Sequence, residues 1–117
     1  MKIRIIAVAT ALVLLSGCAA QVTEAGYYWG NYANTLYEYT KEPSDETLAQ
    51  HVEELETIVA ESNERELKVP PGVYAELGHI ASKSGDGNAA ALAYYESEMN
   101  LYPESRIFLE RLTTDKK

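Results

Sequence analysis

From residue 44 onward, apolar side chains return at intervals of three and four and never alternate, so this chain can bury them only as helices packed on helices. Leu48, Val52, Leu55 and Val59, with Ile58 beside the last, form the cleanest stripe, which reaches to about Ser62. Ser44, with Asp45 and Glu46 behind it, supplies an N-cap and an acidic first turn for that helix, and Glu42-Pro43 closes the segment before it. That earlier segment, residues 27–41, is dense in aromatics, and Tyr28, Tyr32, Leu36 and Tyr39 stand at helical spacing within it, which predicts a first helix there.

Beyond the charged stretch 63–69, Pro70-Pro71-Gly72 is a strong break, and Pro71 is placed to open a third helix carrying Val73, Leu77, Ile80 and Ala81 on one side. Ser84-Gly85-Asp86-Gly87 ends it. A fourth helix is expected from about Asn88 to Tyr102, with Ala91, Leu92, Tyr95, Met99 and Tyr102 inward, and Pro103 closes it. A short fifth helix, from Glu104 to about Leu112, presents Phe108 and Leu112. The pattern predicts an all-α fold of four to five helices in one domain over residues 27–114, with 115–117 frayed.

The N-terminus reads differently. Lys2 and Arg4 precede an apolar run, residues 5–15, too short to span a bilayer, which is the build of a cleavable signal peptide. Leu15-Ser16-Gly17-Cys18 resembles the lipobox of bacterial lipoproteins. The resemblance implies that residues 1–17 are removed, that Cys18 is the lipid attachment site, and that residues 18–26 tether the lipid to the domain. Ala19 after the cysteine implies transfer to the outer membrane, facing the periplasm. The competing reading is an ordinary secretory signal cut near Ala19-Ala20. Cys18 is the only cysteine among 117 residues, so no disulfide is expected and packing alone must stabilise the 100 residues left after cleavage. Losing Lys2 and Arg4 takes the net charge from −8 to −10, which disfavours nucleic acid or anionic lipid binding through a basic face.

Residues 74–103 resemble the tetratricopeptide repeat. Tyr74, Leu77 and Gly78 stand where that repeat has its aromatic, its Leu and its Gly. Ala91, Tyr95 and Pro103 fit the small residue, the aromatic and the terminating proline of its second helix, given one residue inserted in the turn at 85–88. Ala81 and Glu98 depart from the pattern. Residues 28–62 then form a degenerate, longer hairpin, so that tetratricopeptide-like antiparallel hairpins are expected. As a whole, the chain after the leader is similar to a family of small uncharacterised bacterial outer-membrane lipoproteins, through Tyr27-Tyr28-Trp29-Gly30-Asn31-Tyr32 and Val69-Pro70-Pro71-Gly72-Val73-Tyr74-Ala75-Glu76-Leu77-Gly78. That resemblance implies a multi-lipoprotein envelope assembly, because members tend to be encoded beside a lipoprotein similar to the curli secretion channel.

For function, the aromatic cluster stands out. Six aromatics within residues 27–39 cannot all share the single inward face of a helix. Tyr27, Trp29 and Tyr37, with Tyr74 on the third helix, are the candidate partner-binding residues, against the alternative that they are core. His51 borders the second helix's stripe and His79 lies away from Leu77 and Ile80; neither has a second His or Cys at ligand spacing, so no metal or other cofactor is expected. Glu53, Glu54 and Glu56 read as solvated flank. No hydrolase, metalloprotease or phosphate-loop motif is present, so no enzyme activity and no small-molecule substrate are expected. The expected role is a lipid-anchored periplasmic adaptor for another envelope protein, which includes another lipoprotein. The alternative is a peptidoglycan or glycan-binding lipoprotein that stacks sugars on exposed Tyr and Trp rings.

Overall fold

The computed structural model describes residues 26–85 and 88–114. The expected leader, Cys18, the expected tether over residues 19–25, Asp86 and Gly87, and residues 115–117 lie outside the described residues. The described chain is all-α, in the order α1 (Tyr32–Lys41), α2 (Asp45–Glu64), α3 (Val73–Lys83), α4 (Asn88–Leu101), a 3-10 turn (Pro103–Ser105) and α5 (Arg106–Thr114).

The first helix starts later than its aromatic spacing predicts. Gly30 adopts a left-handed φ of +47°, which breaks the backbone after Trp29, and Asn31 then stands at the N-cap position of α1 without a side-chain capping hydrogen bond. Tyr27, Tyr28 and Trp29 therefore form a non-helical lead-in rather than a first helical turn. The cap is held from outside the helix: the Asn31 amide donates to Glu54 Oε1 at 2.7 Å. Glu54 is thus a structural acceptor on α2, not merely solvated flank. Exposed Glu53 and Glu56 do lie at the surface.

The start of α2 follows its sequence signals. Ser44 Oγ accepts from the Thr47 amide at 3.1 Å, and Thr47 Oγ1 accepts from the Ser44 amide at 3.0 Å, a capping box. At the other end, Leu67 N–H bonds to Ser62 C=O at 2.9 Å and Glu66 N–H to Asn63 C=O at 3.2 Å, a Schellman motif. The motif places Glu66 at φ +56°, where glycine is the usual residue.

Pro71 does not open α3. It sits in a turn closed by Val73 N–H to Pro70 C=O, and Gly72, at φ +92°, is the N-cap. The Gly72 amide donates to Glu98 Oε1 at 2.8 Å, so the break is pinned to α4 by a side chain that is 3 % exposed.

Partners along the helices run in opposite directions. Asn31 meets Glu54 and Thr35 meets His51; Gly72 meets Glu98, and Gly78 meets Ala91 and Tyr95. Hence α1–α2 and α3–α4 are antiparallel hairpins, an arrangement compatible with tetratricopeptide-like packing. The α3–α4 contact is the most intimate. A Cβ at Gly78 would lie 2.5 Å from the Tyr95 ring and 3.2 Å from the Ala91 carbonyl oxygen, so only glycine permits this approach.

The core has two parts. Leu55, Ile58, Val69, Val73 and Leu77 form one beneath α1, and Ala91, Tyr95 and Leu109 form the other between α4 and α5. Two expected inward residues are on the surface: Leu92 is 52 % exposed and Phe108 is 63 % exposed. On α4 the buried row is Ala91, Tyr95 and Glu98, continued by Tyr102 just past its end, and Leu92 is rotated about 100° from Ala91. On α5, Leu109 is the buried residue, with Leu112 on the same side, which turns Phe108 outward.

Candidate functional site

Helix α1 carries Tyr32, Tyr37 and Tyr39 of the aromatic cluster, yet none of its own residues is fully buried. What holds it is a polar clamp centred on His51, whose side chain is completely enclosed. His51 Nδ1 lies 2.8 Å from Thr35 Oγ1 on α1, and Nε2 lies 2.5 Å from Glu76 Oε1 on α3. Nε2–H donates to the Glu76 carboxylate, and the direction of the Nδ1–Thr35 hydrogen bond follows the ring tautomer. The second carboxylate oxygen of Glu76 accepts from the Tyr32 hydroxyl at 2.8 Å. One imidazole and one carboxylate thereby join three helices.

Aromatic contacts complete the seat. The Tyr39 ring stacks parallel to His51 at 6.5 Å, and Tyr32 tilts against it at 5.3 Å. Burial, then the hydrogen bond to Glu76 and its negative charge, push the Tyr32 phenol up to about 12, so at neutral pH it remains a donor. Trp29 packs edge-on against Tyr32, with ring centroids 5.2 Å apart.

The hydroxyl, imidazole and carboxylate of Thr35, His51 and Glu76 occur in the order of a hydrolytic triad. Each of the three also makes contacts outside that row. The Thr35 hydroxyl also lies within 3.2 Å of the Tyr32 carbonyl in its own helix, Tyr39 covers the imidazole, and Tyr32 occupies the carboxylate. Beside the clamp, Tyr39, Leu48, His51, Glu76, His79, Ile80 and Lys83 line a cleft of about 230 Å³. His79 is exposed on its rim, and among the described residues no group of three or more His, Cys, Asp or Glu is placed to hold a metal ion.

The outward side of this assembly presents rings to solvent. Tyr37 is 61 % exposed, Tyr27 44 % and Trp29 42 %. Lys41 Nζ lies 5.8 Å from the Tyr37 ring centroid. The four candidate partner-binding residues are not gathered at one spot. Trp29 and Tyr37 belong to the α1 assembly. Tyr27 lines a separate cleft with Tyr28, Arg65 and Leu67, where its hydroxyl, after burial, helps to raise the Tyr102 phenol.

Tyr74 is half-buried, packs on the α3 core, and faces Tyr94 at 6.4 Å. It lines a groove of about 420 Å³ with Asn63, Lys68, Ser97 and Asn100. Burial first, then Tyr94 and Glu98, raise its phenol above the ordinary value. Of the repeat residues, Leu77, Gly78, Ala91 and Tyr95 meet in the α3–α4 contact, and Pro103 begins the 3-10 turn after α4.

The clamp is the part that sequence reasoning missed. Its trace in the sequence is His51 four residues before Leu55 and seven before Ile58, which puts an imidazole within the apolar stripe rather than at its border.

Residues 27–112 match the family described as Domain of unknown function (DUF4810), and the chain belongs to that family. No curated protein and no solved structure matches the chain.

Proposed function

We propose that this DUF4810 chain is a lipid-anchored, non-enzymatic adaptor of the bacterial periplasm. In this reading Cys18 is acylated after cleavage at residue 17, the lipid sits in the outer membrane, and the helical domain captures another envelope protein within a multi-lipoprotein assembly. The observation that carries the reading is the pairing of exposed Trp29 and Tyr37 with a rigid base: the rings are presented to solvent while α1 is fixed from within by His51 and Glu76. Tyr and Trp lose little rotamer freedom on binding and supply large amphipathic contact area, which is why they concentrate in binding hot spots. Fixing α1 beforehand lowers the ordering cost of association. Confinement by the lipid raises the effective concentration toward neighbouring membrane-bound partners.

The test compares the wild-type chain with Trp29→Ala/Tyr37→Ala. Tyr37 is largely exposed, whereas Trp29 also packs on Tyr32, so the variant is expected to retain its helical circular dichroism with a melting temperature a few degrees lower, while losing an envelope protein that co-purifies with the wild type. Equal recovery by both proteins contradicts the reading. Sedimentation of the purified protein with isolated sacculi, lost in the same variant, would replace the protein partner with cell-wall glycan.

A further inference from the structure

The last helix carries an apolar patch that the fold does not use. Ile107 is 71 % exposed and Phe108 63 %, neighbours on α5, with Ile107 opposite the buried Leu109 and Phe108 about 100° from it. Glu104, in the 3-10 turn that leads into α5, precedes Ile107 by three residues, Arg111 follows it by four, and both are exposed. The ion pair on α5 joins Arg106 to Glu110 at 3.4 Å, which leaves Glu104 and Arg111 without an ion-pair partner among the described residues. Along the chain these four exposed residues read acid, apolar, apolar, base. That order is complementary to itself reversed.

We propose that the exposed surface of the 3-10 turn and α5, residues 104–111, is a twofold interface through which two copies of this chain pair. In an antiparallel register, Glu104 of one copy lies opposite Arg111 of the other, Ile107 lies opposite Phe108, and both relationships recur across the axis. A closed isologous contact of this kind satisfies both charges and covers both apolar residues, with no face left to propagate a fibre. One face of a nine-residue helix buries far less than the roughly 1,600 Å² of a standard stable interface. The pair is therefore weak between freely diffusing molecules and is populated when copies are held close together. This surface is separate from Trp29 and Tyr37, so the proposal does not need partner capture; it rests on the proposed function only for the lipid anchoring that holds copies together.

The test uses the full chain in its host cells, with a photo-crosslinking p-benzoylphenylalanine in place of Phe108. The expected adduct has twice the chain mass, and its crosslinked peptide lies within residues 104–111 of a second copy. Glu104→Arg and Arg111→Glu, tested singly, place like charges opposite one another twice per dimer and should each lower the adduct about tenfold. Combined, they exchange the charges and should restore it to within about twofold of the original, since the Coulomb complementarity is regained. Neither changes a buried group, so the melting temperature should hold. An adduct with a different protein, with another region of a second copy, or with residues 1–25 of the same chain overturns the proposal. So does a dimer indifferent to charge reversal, or the absence of any adduct.

Discussion

His51 and Glu76, one on α2 and one on α3, are joined by a 2.5 Å contact between Nε2 and Oε1, and the rest of that contact network reaches α1 through Thr35 and Tyr32. Glu76→Ala would leave the buried imidazole nitrogen and the Tyr32 hydroxyl without their acceptor. An unpaired buried polar group costs about 1–3 kcal/mol, so a fall in melting temperature of roughly 4–8 °C per kcal/mol is expected. Glu53→Ala, at an exposed position on α2, serves as the control and should stay within about 0.5 kcal/mol of wild type.

The Gly78 contact predicts a second loss. Gly78→Ala sets a methyl group 2.5 Å from the Tyr95 ring, and the ring, 5 % exposed, has little room to withdraw. Overpacking of this kind costs about 1–3 kcal/mol, despite the gain in helix propensity from Gly to Ala of about 1 kcal/mol. Chemical denaturation should show a lower midpoint with an unchanged slope.

Glu66 predicts a gain. Its φ of +56° at the C-terminal cap of α2 is a conformation that non-glycine residues adopt at a cost of about 1–2 kcal/mol. Glu66→Gly relieves it but enlarges the entropy of the unfolded chain, so a net stabilisation of about 0.5–1 kcal/mol is expected in the same denaturation assay.

Tyr32 makes stability depend on alkaline pH. Its phenol is raised from 10.0 to about 12 in the folded chain, so the folded state favours the protonated form. The contribution is fully present below the unfolded value near 10 and is lost as pH rises through the folded value. Unfolding free energy measured between those limits should fall for wild type and fall less steeply for Tyr32→Phe, which has no phenol to ionise there.

How far the sequence foretold this arrangement depended on whether the controlling interaction was local. The α2 start was legible because Ser44 and the acidic first turn act within a few residues, and the stripe through Leu55 and Ile58 fixed the inward face. The start of α1 was not, because the break at Gly30 is coupled to Glu54 across the hairpin. The inward face of α4 was misread at Leu92 because the buried row contains Glu98, whose acceptor role depends on Gly72 in a distant turn. On α5, Phe108 and Leu109 are adjacent and both apolar, and only docking against α4 decides which one is buried. Tyr27, Trp29 and Tyr37 are exposed as expected, but the count against one helical face applies only to Tyr37, because Tyr27 and Trp29 precede the helix. The clamp beneath them pairs residues 25 positions apart, and no local pattern announces that pairing.

The most direct measurement places a photo-crosslinking residue at Tyr37 of the full chain in intact cells and identifies the adduct by mass spectrometry, alongside Cys18→Ser and Trp29→Ala backgrounds. The account predicts one dominant envelope protein, reduced about tenfold or more in each background, on the reasoning that confinement and a hot-spot ring each contribute at least that factor. A ladder of unrelated adducts that neither substitution alters would contradict it.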